Sequence, residues 1–200
     1  MSAHGAGLWF SVLIRTDPRH AGPTGLLPLA AGVAVADALR RHGVVAVLKW
    51  PNDVVIDGDA RDGSPGPRKL AGILSEADGD AAVVIGIGVN VSQTAAELPI
   101  PAATSLQLEG VRATRDGLLI DILTALYTAV EDLRRTGGQA TMDEYRRLCV
   151  TIGRRVTAML PSGEQVTGTA LEVAADGRLV IETEPETVSV AAGDIIHATI

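Results

Sequence analysis

The chain has 200 residues, 46% apolar and 20% charged, with a net charge of −7. That is one ordinary folded unit with a small appendage, and it excludes a disordered tail, a coiled coil and, with 22 glycines and 10 prolines in no Gly-X-Y period, a collagen. A single cysteine, Cys149, excludes a disulfide framework and any multi-cysteine metal site and points to a reducing, cytoplasmic compartment, while the acidic balance argues against a nucleic-acid partner.

The apolar run 7–14 is preceded by no Lys or Arg and followed by Arg15, so it reads as a strand over 8–14 rather than a secretory signal. No run approaches the ~20 apolar residues of a membrane span, so no membrane partner is expected. Leu29, Val33, Ala36 and Leu39 recur at helical spacing, predicting a helix from Leu26 to His42 with Gly43 closing it. Val44 to Trp50 reads as a buried strand, Pro51-Asn52-Asp53 as a turn and Val54 to Ile56 as a second strand. The polar stretch 57–68 reads as a mobile hairpin loop. Strands are expected over Lys69–Ala77 and Ala81–Val91, joined by a turn at Gly79-Asp80. A long amphipathic helix spans Thr114 to Arg135, and a short one starts at Thr141, where Thr141 and Glu144 form a capping box. From Ile152 the pattern changes to short alternating strands (155–160, 165–173, 178–182, 187–190), which suggests a small β-barrel. Its 3 basic and 7 acidic residues make it no basic nucleic-acid module.

The 17 basic residues are 15 Arg and two Lys, and the two lysines and the only two asparagines all fall between positions 49 and 90. Three segments there could carry chemistry. Lys49-Trp50-Pro51-Asn52-Asp53-Val54 places an ammonium, an amide and a carboxylate at the end of a buried strand, where open sheets present functional groups. A lysine suits phosphate oxygens and Asp53 could hold a metal or a hydroxyl; the same residues also suit a strand–turn–strand corner. Lys69-Leu70-Ala71-Gly72-Ile73-Leu74 opens a strand with a lysine and interrupts it with a glycine, a mark of close ligand or backbone approach. Gly86-Ile87-Gly88-Val89-Asn90-Val91 fails as a dinucleotide fingerprint, since the third glycine and the following helix are missing. It remains a glycine-rich strand end with an amide suited to an adenine edge, or a bulge with a capping Asn. The histidines are scattered, and Cys149 reads as a small core residue.

In this order, the three segments resemble those of the biotin–protein ligases, with 7–15 similar to the strand ahead of them and 153–200 similar to the SH3-like barrel that ends the family. The resemblance implies an α/β fold of the class II aminoacyl-tRNA synthetase type, a mixed, largely antiparallel sheet with helices over residues 1–150, followed by a small barrel over 151–200. It implies an ATP- and Mg²⁺-dependent enzyme that joins biotin to a lysine of the biotin carboxyl carrier protein of acetyl-CoA carboxylase through biotinyl-5′-AMP. By the same resemblance Lys69 is catalytic and, with Gly72, contacts biotin; Lys49, Asn52, Asp53 and Asn90 contact ATP or the adenylate; and Asp53 holds Mg²⁺. Trp50 is expected to pack rather than stack.

The family's Ser/Thr-rich biotin-binding strand and Gly-Arg-Gly-Arg-x-x-Arg loop, which precede the 7–15 strand, are absent, as is the helix-turn-helix of its repressor-type members. The expectation is an N-terminally incomplete catalytic domain with weak or no ligase activity and no nucleic-acid binding. A homodimer is left open. Two other readings stand beside this one: a lipoate or octanoate ligase, and a non-catalytic module that binds the carrier.

Overall fold

The computed structural model describes residues 5–16, 23–78 and 82–197. Five strands, β1 (Gly7–Arg15), β2 (Ala46–Lys49), β3 (Asp53–Ile56), β4 (Arg68–Asp78) and β5 (Ala82–Asn90), form one sheet in the order β1-β5-β4-β3-β2. All its neighbours run antiparallel. The expected turn at Gly79-Asp80 lies outside the described residues. Alternation of side chains sends Leu8 and Ile14 of β1 and Val83, Ile85, Ile87 and Val89 of β5 into the core. The opposite face carries Trp9, Ser11, Leu13, Gly72, Leu74, Gly86 and Gly88, and no helix covers it among the described residues.

The covered face is built on helix α1 (Leu27–Arg41), which touches the sheet as well as helices α2 (Arg115–Thr136) and α3 (Gln139–Leu148). A helix with neighbours on several sides needs small side chains, and Ala30, Ala31, Ala34, Ala36 and Ala38 are all buried. Thr114 caps α2 by accepting from the Gly117 amide, and Gly137, at φ 77°, closes it in the left-handed region.

One expectation fails here for a physical reason, and a second stretch makes contacts its polar composition did not announce. The Thr141–Glu144 capping box does not form. The helix begins two residues earlier, at Gln139, and the Asp132 carboxylate of α2 accepts from both the Thr141 amide (3.1 Å) and hydroxyl (2.7 Å), while Glu144 pairs with Arg147 instead. A tertiary acceptor has outcompeted the local one. In the stretch 57–68, expected to be mobile, Arg68 donates to the Asp59 carbonyl (2.7 Å), Arg61 to that of Leu108 (2.9 Å), and the Ala60 side chain is buried.

A second five-stranded antiparallel sheet follows, in the order β10-β6-β7-β8-β9, from β6 (Arg155–Met159), β7 (Gln165–Val173), β8 (Leu179–Glu182), β9 (Thr187–Val190) and β10 (Asp194–His197). The strand β10 was not expected from the sequence. The two sheets meet at Trp50. Its indole is buried, Nε1 donates to the Gly177 carbonyl at the β7–β8 turn (3.0 Å), and its backbone N–H donates to Thr151 Oγ1 (3.0 Å). Gly177 has φ 87°, and a Cβ there would stand 2.9 Å from Leu29 Cδ1, so the turn needs glycine for both conformation and room. Trp50 therefore packs, as expected, and in doing so anchors the Pro51-Asn52-Asp53 corner. Arg146 adds a link by donating to the Val173 carbonyl (2.7 Å).

Replacing Asp132 by Ala removes the acceptor at the start of α3. We expect a loss of about 1 kcal/mol in chemical denaturation, the usual worth of such a cap; an unchanged midpoint would show that the α2–α3 junction does not depend on it.

Candidate active site

On the uncovered face of the first sheet, a cavity of about 740 Å³ is lined by Trp9, Asn52, Lys69, Gly72, Gly86, Gly88, Asn90 and Ile100, among others. Its floor is backbone. Gly72 of β4 lies directly opposite Gly88 of β5, and Leu74 opposite Gly86. A Cβ on Gly72 would press on Lys69 Cε (3.1 Å) and Nζ (3.2 Å), and one on Gly88 on Trp9 Cδ1 (2.9 Å). The Trp9 side chain, 53% exposed, lies against Gly7 through its six-membered ring and against Gly88 through its pyrrole edge, and it lines the cavity. The sequence reading did not single it out; its alternation with Ser11 and Leu13 on β1 was the available signal. The glycine strand end is regular β5 rather than a bulge; the irregularity falls between Val54 and Val55 of β3.

Four of the expected residues, Lys69, Gly72, Asn52 and Asn90, line this one cavity. Lys49 and Asp53 are not among its lining residues; they pair across β2 and β3, with Asp53 beside the cavity through its ion pair to Lys69. Lys69 Nζ lies 2.5 Å from Asp53 Oδ1, an ion pair without hydrogen-bond alignment. Lys49 is held below the usual lysine range first by burial and then by the positive charge of Lys69, while Asp53 and Asp194 of β10 oppose the shift. The site therefore gathers two ammonium groups around one carboxylate. Asn52 holds the corner closed: its Nδ2 donates to the Ile73 carbonyl (2.9 Å), and the Ile73 amide donates back to the Asn52 carbonyl (2.9 Å). The Asn90 Nδ2 donates to the Thr104 carbonyl (2.9 Å), and its Oδ1 accepts from Gln93 Nε2 (3.2 Å). Gln93 Oε1, by contrast, is buried and accepts from no described residue, a cost on the order of 1–3 kcal/mol.

The loop after β5 ties these pieces together through Thr104, a fully buried residue that the sequence reading missed. Its amide donates to the Lys69 carbonyl (2.8 Å), its carbonyl accepts from Asn90, and its hydroxyl donates to Glu109 Oε1 (2.6 Å). Glu109 also accepts from Arg68, the residue before Lys69, at 3.0 Å on each oxygen. Burial raises the Glu109 carboxyl, but Arg68, Thr104 and Arg61 together bring it below its ordinary value.

Among the described residues no group of three or more His, Cys, Asp or Glu could hold a metal ion. Asp53 is the one carboxylate at the cavity border and is ion-paired to Lys69. The residues do not by themselves make a Mg²⁺ site; a divalent ion there would take one ligand from the chain and the rest from phosphate oxygens and water.

Residues 1–90 match the Biotin/lipoate A/B protein ligase family, and residues 151–198 match the Biotin protein ligase C terminal domain. The biotin--[acetyl-CoA-carboxylase] ligase of Mycobacterium tuberculosis is 41% identical over 180 residues, 86% of this chain and 62% of that protein. This chain carries biotin protein ligase family domains. The bifunctional ligase/repressor BirA of Bacillus subtilis is 30% identical over 204 residues, 97% of this chain and 59% of that protein. The chain thus spans about three fifths of the length of these curated relatives. In structure it resembles the biotin protein ligase of Aquifex aeolicus, with a TM-score of 0.81 at 24% identity over 96% of this chain and 83% of the other. The likeness supports the expected α/β fold with its terminal SH3-like sheet.

Beside this cavity, the Glu109 cluster sets an acid limit on stability. A carboxyl with a depressed folded value contributes stability that is complete above its unfolded value, about pH 4.3, and is lost as pH falls through the folded value. The expected result is that Glu109→Gln lowers the thermal midpoint at pH 7 and that its gap from the native chain closes below about pH 4. A gap that stays constant down to pH 3 would rule this cluster out as the source.

Proposed function

We propose that the chain carries the catalytic site of an ATP-dependent ligase that joins biotin to a lysine of the biotin carboxyl carrier protein of acetyl-CoA carboxylase. The supporting observation is the convergence of three separate segments on one glycine-floored cavity, with Lys69 in its lining and Lys49 close enough to feel the charges of Lys69 and Asp53. In the first step a biotin carboxylate oxygen bonds to the α-phosphorus of ATP, the bond to the bridging oxygen breaks, and pyrophosphate leaves. Two anions must be brought together, and fixed cations lower that barrier most. Lys69, standing between the floor and Asp53, would face both the carboxylate and the charge growing on phosphate. The Asp53 carboxylate, 2.5 Å away, holds the ammonium in place. Lys49, one strand further out, would meet the phosphate side, and Asn52 would keep the corner at the adenylate rigid. Gly72 lets the biotin ring approach backbone, and Asn90 would read adenine. In the second step the neutral carrier lysine amine attacks the anhydride carbonyl, the nitrogen gives up one proton to water, the amide forms, and AMP leaves with its electron pair.

The match over residues 1–90 is shared by biotin and lipoate ligases, so it does not choose between those acids. The match over 151–198 is to biotin protein ligases, and this favours biotin. Mg²⁺ would enter with ATP, with Asp53 as its one protein carboxylate. We further propose two folding units, 1–150 and 151–200, a cytoplasmic setting, and no nucleic-acid partner for this acidic chain, although the BirA relatives are named repressors. No described helix is long and apolar enough to cross a membrane.

The purified chain, incubated with biotin, ATP, Mg²⁺ and an apo carrier domain, should yield carrier-bound biotin at a low rate. Lys69→Ala should reduce adenylate formation by about 10²-fold or more. Lipoate should compete poorly with labelled biotin. Absence of both adenylate and carrier labelling in the native chain would overturn the enzymatic reading and leave carrier binding to be measured directly.

A further inference from the structure

Gln93 lies three residues beyond Asn90 and is fully buried. Its main-chain carbonyl accepts from Ser105 Oγ (2.7 Å), and that hydroxyl oxygen accepts from the Leu108 amide (3.2 Å). The main chain at Gln93 is therefore held by the same loop that carries Thr104. In front it meets only the amide of Asn90, at 3.2 Å, and its own Oε1 accepts from no described residue.

The orientation of both amides follows from one fixed acceptor. The Thr104 carbonyl can only accept, so Asn90 must turn Nδ2 toward it. Asn90 Oδ1 then faces Gln93, which must turn Nε2 forward and leave Oε1 behind. Turning either amide over would set oxygen against oxygen in one of the two contacts. A leucine or methionine would fill the same space without stranding an acceptor. What the glutamine adds is a donor aimed at Asn90.

Asn90 lines the cavity. With one amide hydrogen given to Thr104 and one lone pair to Gln93, it keeps one N–H and one lone pair for a ligand. A donor beside an acceptor matches the N6/N7 edge of adenine. Guanine offers two acceptors, O6 and N7, on the same edge. We propose that Gln93 is a positioning residue that, together with the Thr104 carbonyl, holds the Asn90 amide in this orientation and so makes the cavity select adenine over guanine nucleotides. This rests on the reading of the cavity as an adenylate site.

The test is calorimetric titration of the whole chain with ATP, GTP and biotin, separately, for the native protein, Gln93→Met and Gln93→Glu. The native chain should bind ATP in preference to GTP. Gln93→Met, with no donor, should bind ATP about tenfold more weakly. Its affinity for biotin should hold and its ATP-to-GTP ratio should shrink. In Gln93→Glu a neutral carboxyl can donate to Asn90 and an ionised one cannot, so ATP affinity should fall as pH rises while biotin affinity does not. Should Gln93→Met lose its fold, judged by its melting curve, the pH series on Gln93→Glu decides. Unchanged ATP affinity and selectivity in Gln93→Met, an equal loss for all three ligands, or a flat pH series would overturn the role of Gln93 alone. A native chain that binds no ATP would overturn the adenylate reading and the inference with it.

Discussion

The site depends on an absence of side chains. Gly72 and Gly88 face each other on neighbouring strands, with Gly86 beside them; a Cβ on Gly88 would collide with Trp9, and one on Gly72 would push the end of Lys69 aside. An antiparallel sheet with helices on one face presents its other face as a corrugated surface of side chains. Removing three neighbouring ones turns that surface into a trough. Everything else at the site is arranged along the trough's rim: Trp9 on one side, Lys69 and its carboxylate on the other, and Asn90 at the end of β5.

The rim is held from three directions, and each hold is non-local. The Trp50 indole fastens the Pro51-Asn52-Asp53 corner to the second sheet. Asn52 and Ile73 exchange backbone and side-chain hydrogen bonds that seat β3 against β4. Thr104 joins the start of β4 to the end of β5 through contacts with Lys69 and Asn90, and Glu109 braces it against Arg68. The two motif ends, Lys69 and Asn90, are thus positioned by one buried threonine that belongs to neither.

This explains which parts of the molecule were legible in the sequence. Strands and helices with a clear apolar period fell within a residue or two of their expected bounds, because alternation and the 3.6-residue repeat are local signals. Lys69, Gly72, Asn52 and Asn90 could be named because they sit inside compact segments. Thr104 and Gln93 could not, since their roles arise only when the loop after β5 folds back. The capping box failed for the same reason: Asp132 reaches Thr141 across a helix junction that no local pattern records. The strand β10 offered four residues near the chain end, too few for periodicity to register.

The placement of the two tryptophans gives the molecule a pair of optical reporters. Trp50 is 1% exposed and its indole is locked to the second sheet, whereas Trp9 is 53% exposed and lies over the glycine floor. Their emission separates by environment, blue for the buried ring and red for the wetted one. A ligand entering the trough changes the red component, while undocking of the second sheet changes the blue. The fluorescence of the unlabelled chain therefore resolves occupancy of the site from integrity of the junction that supports it.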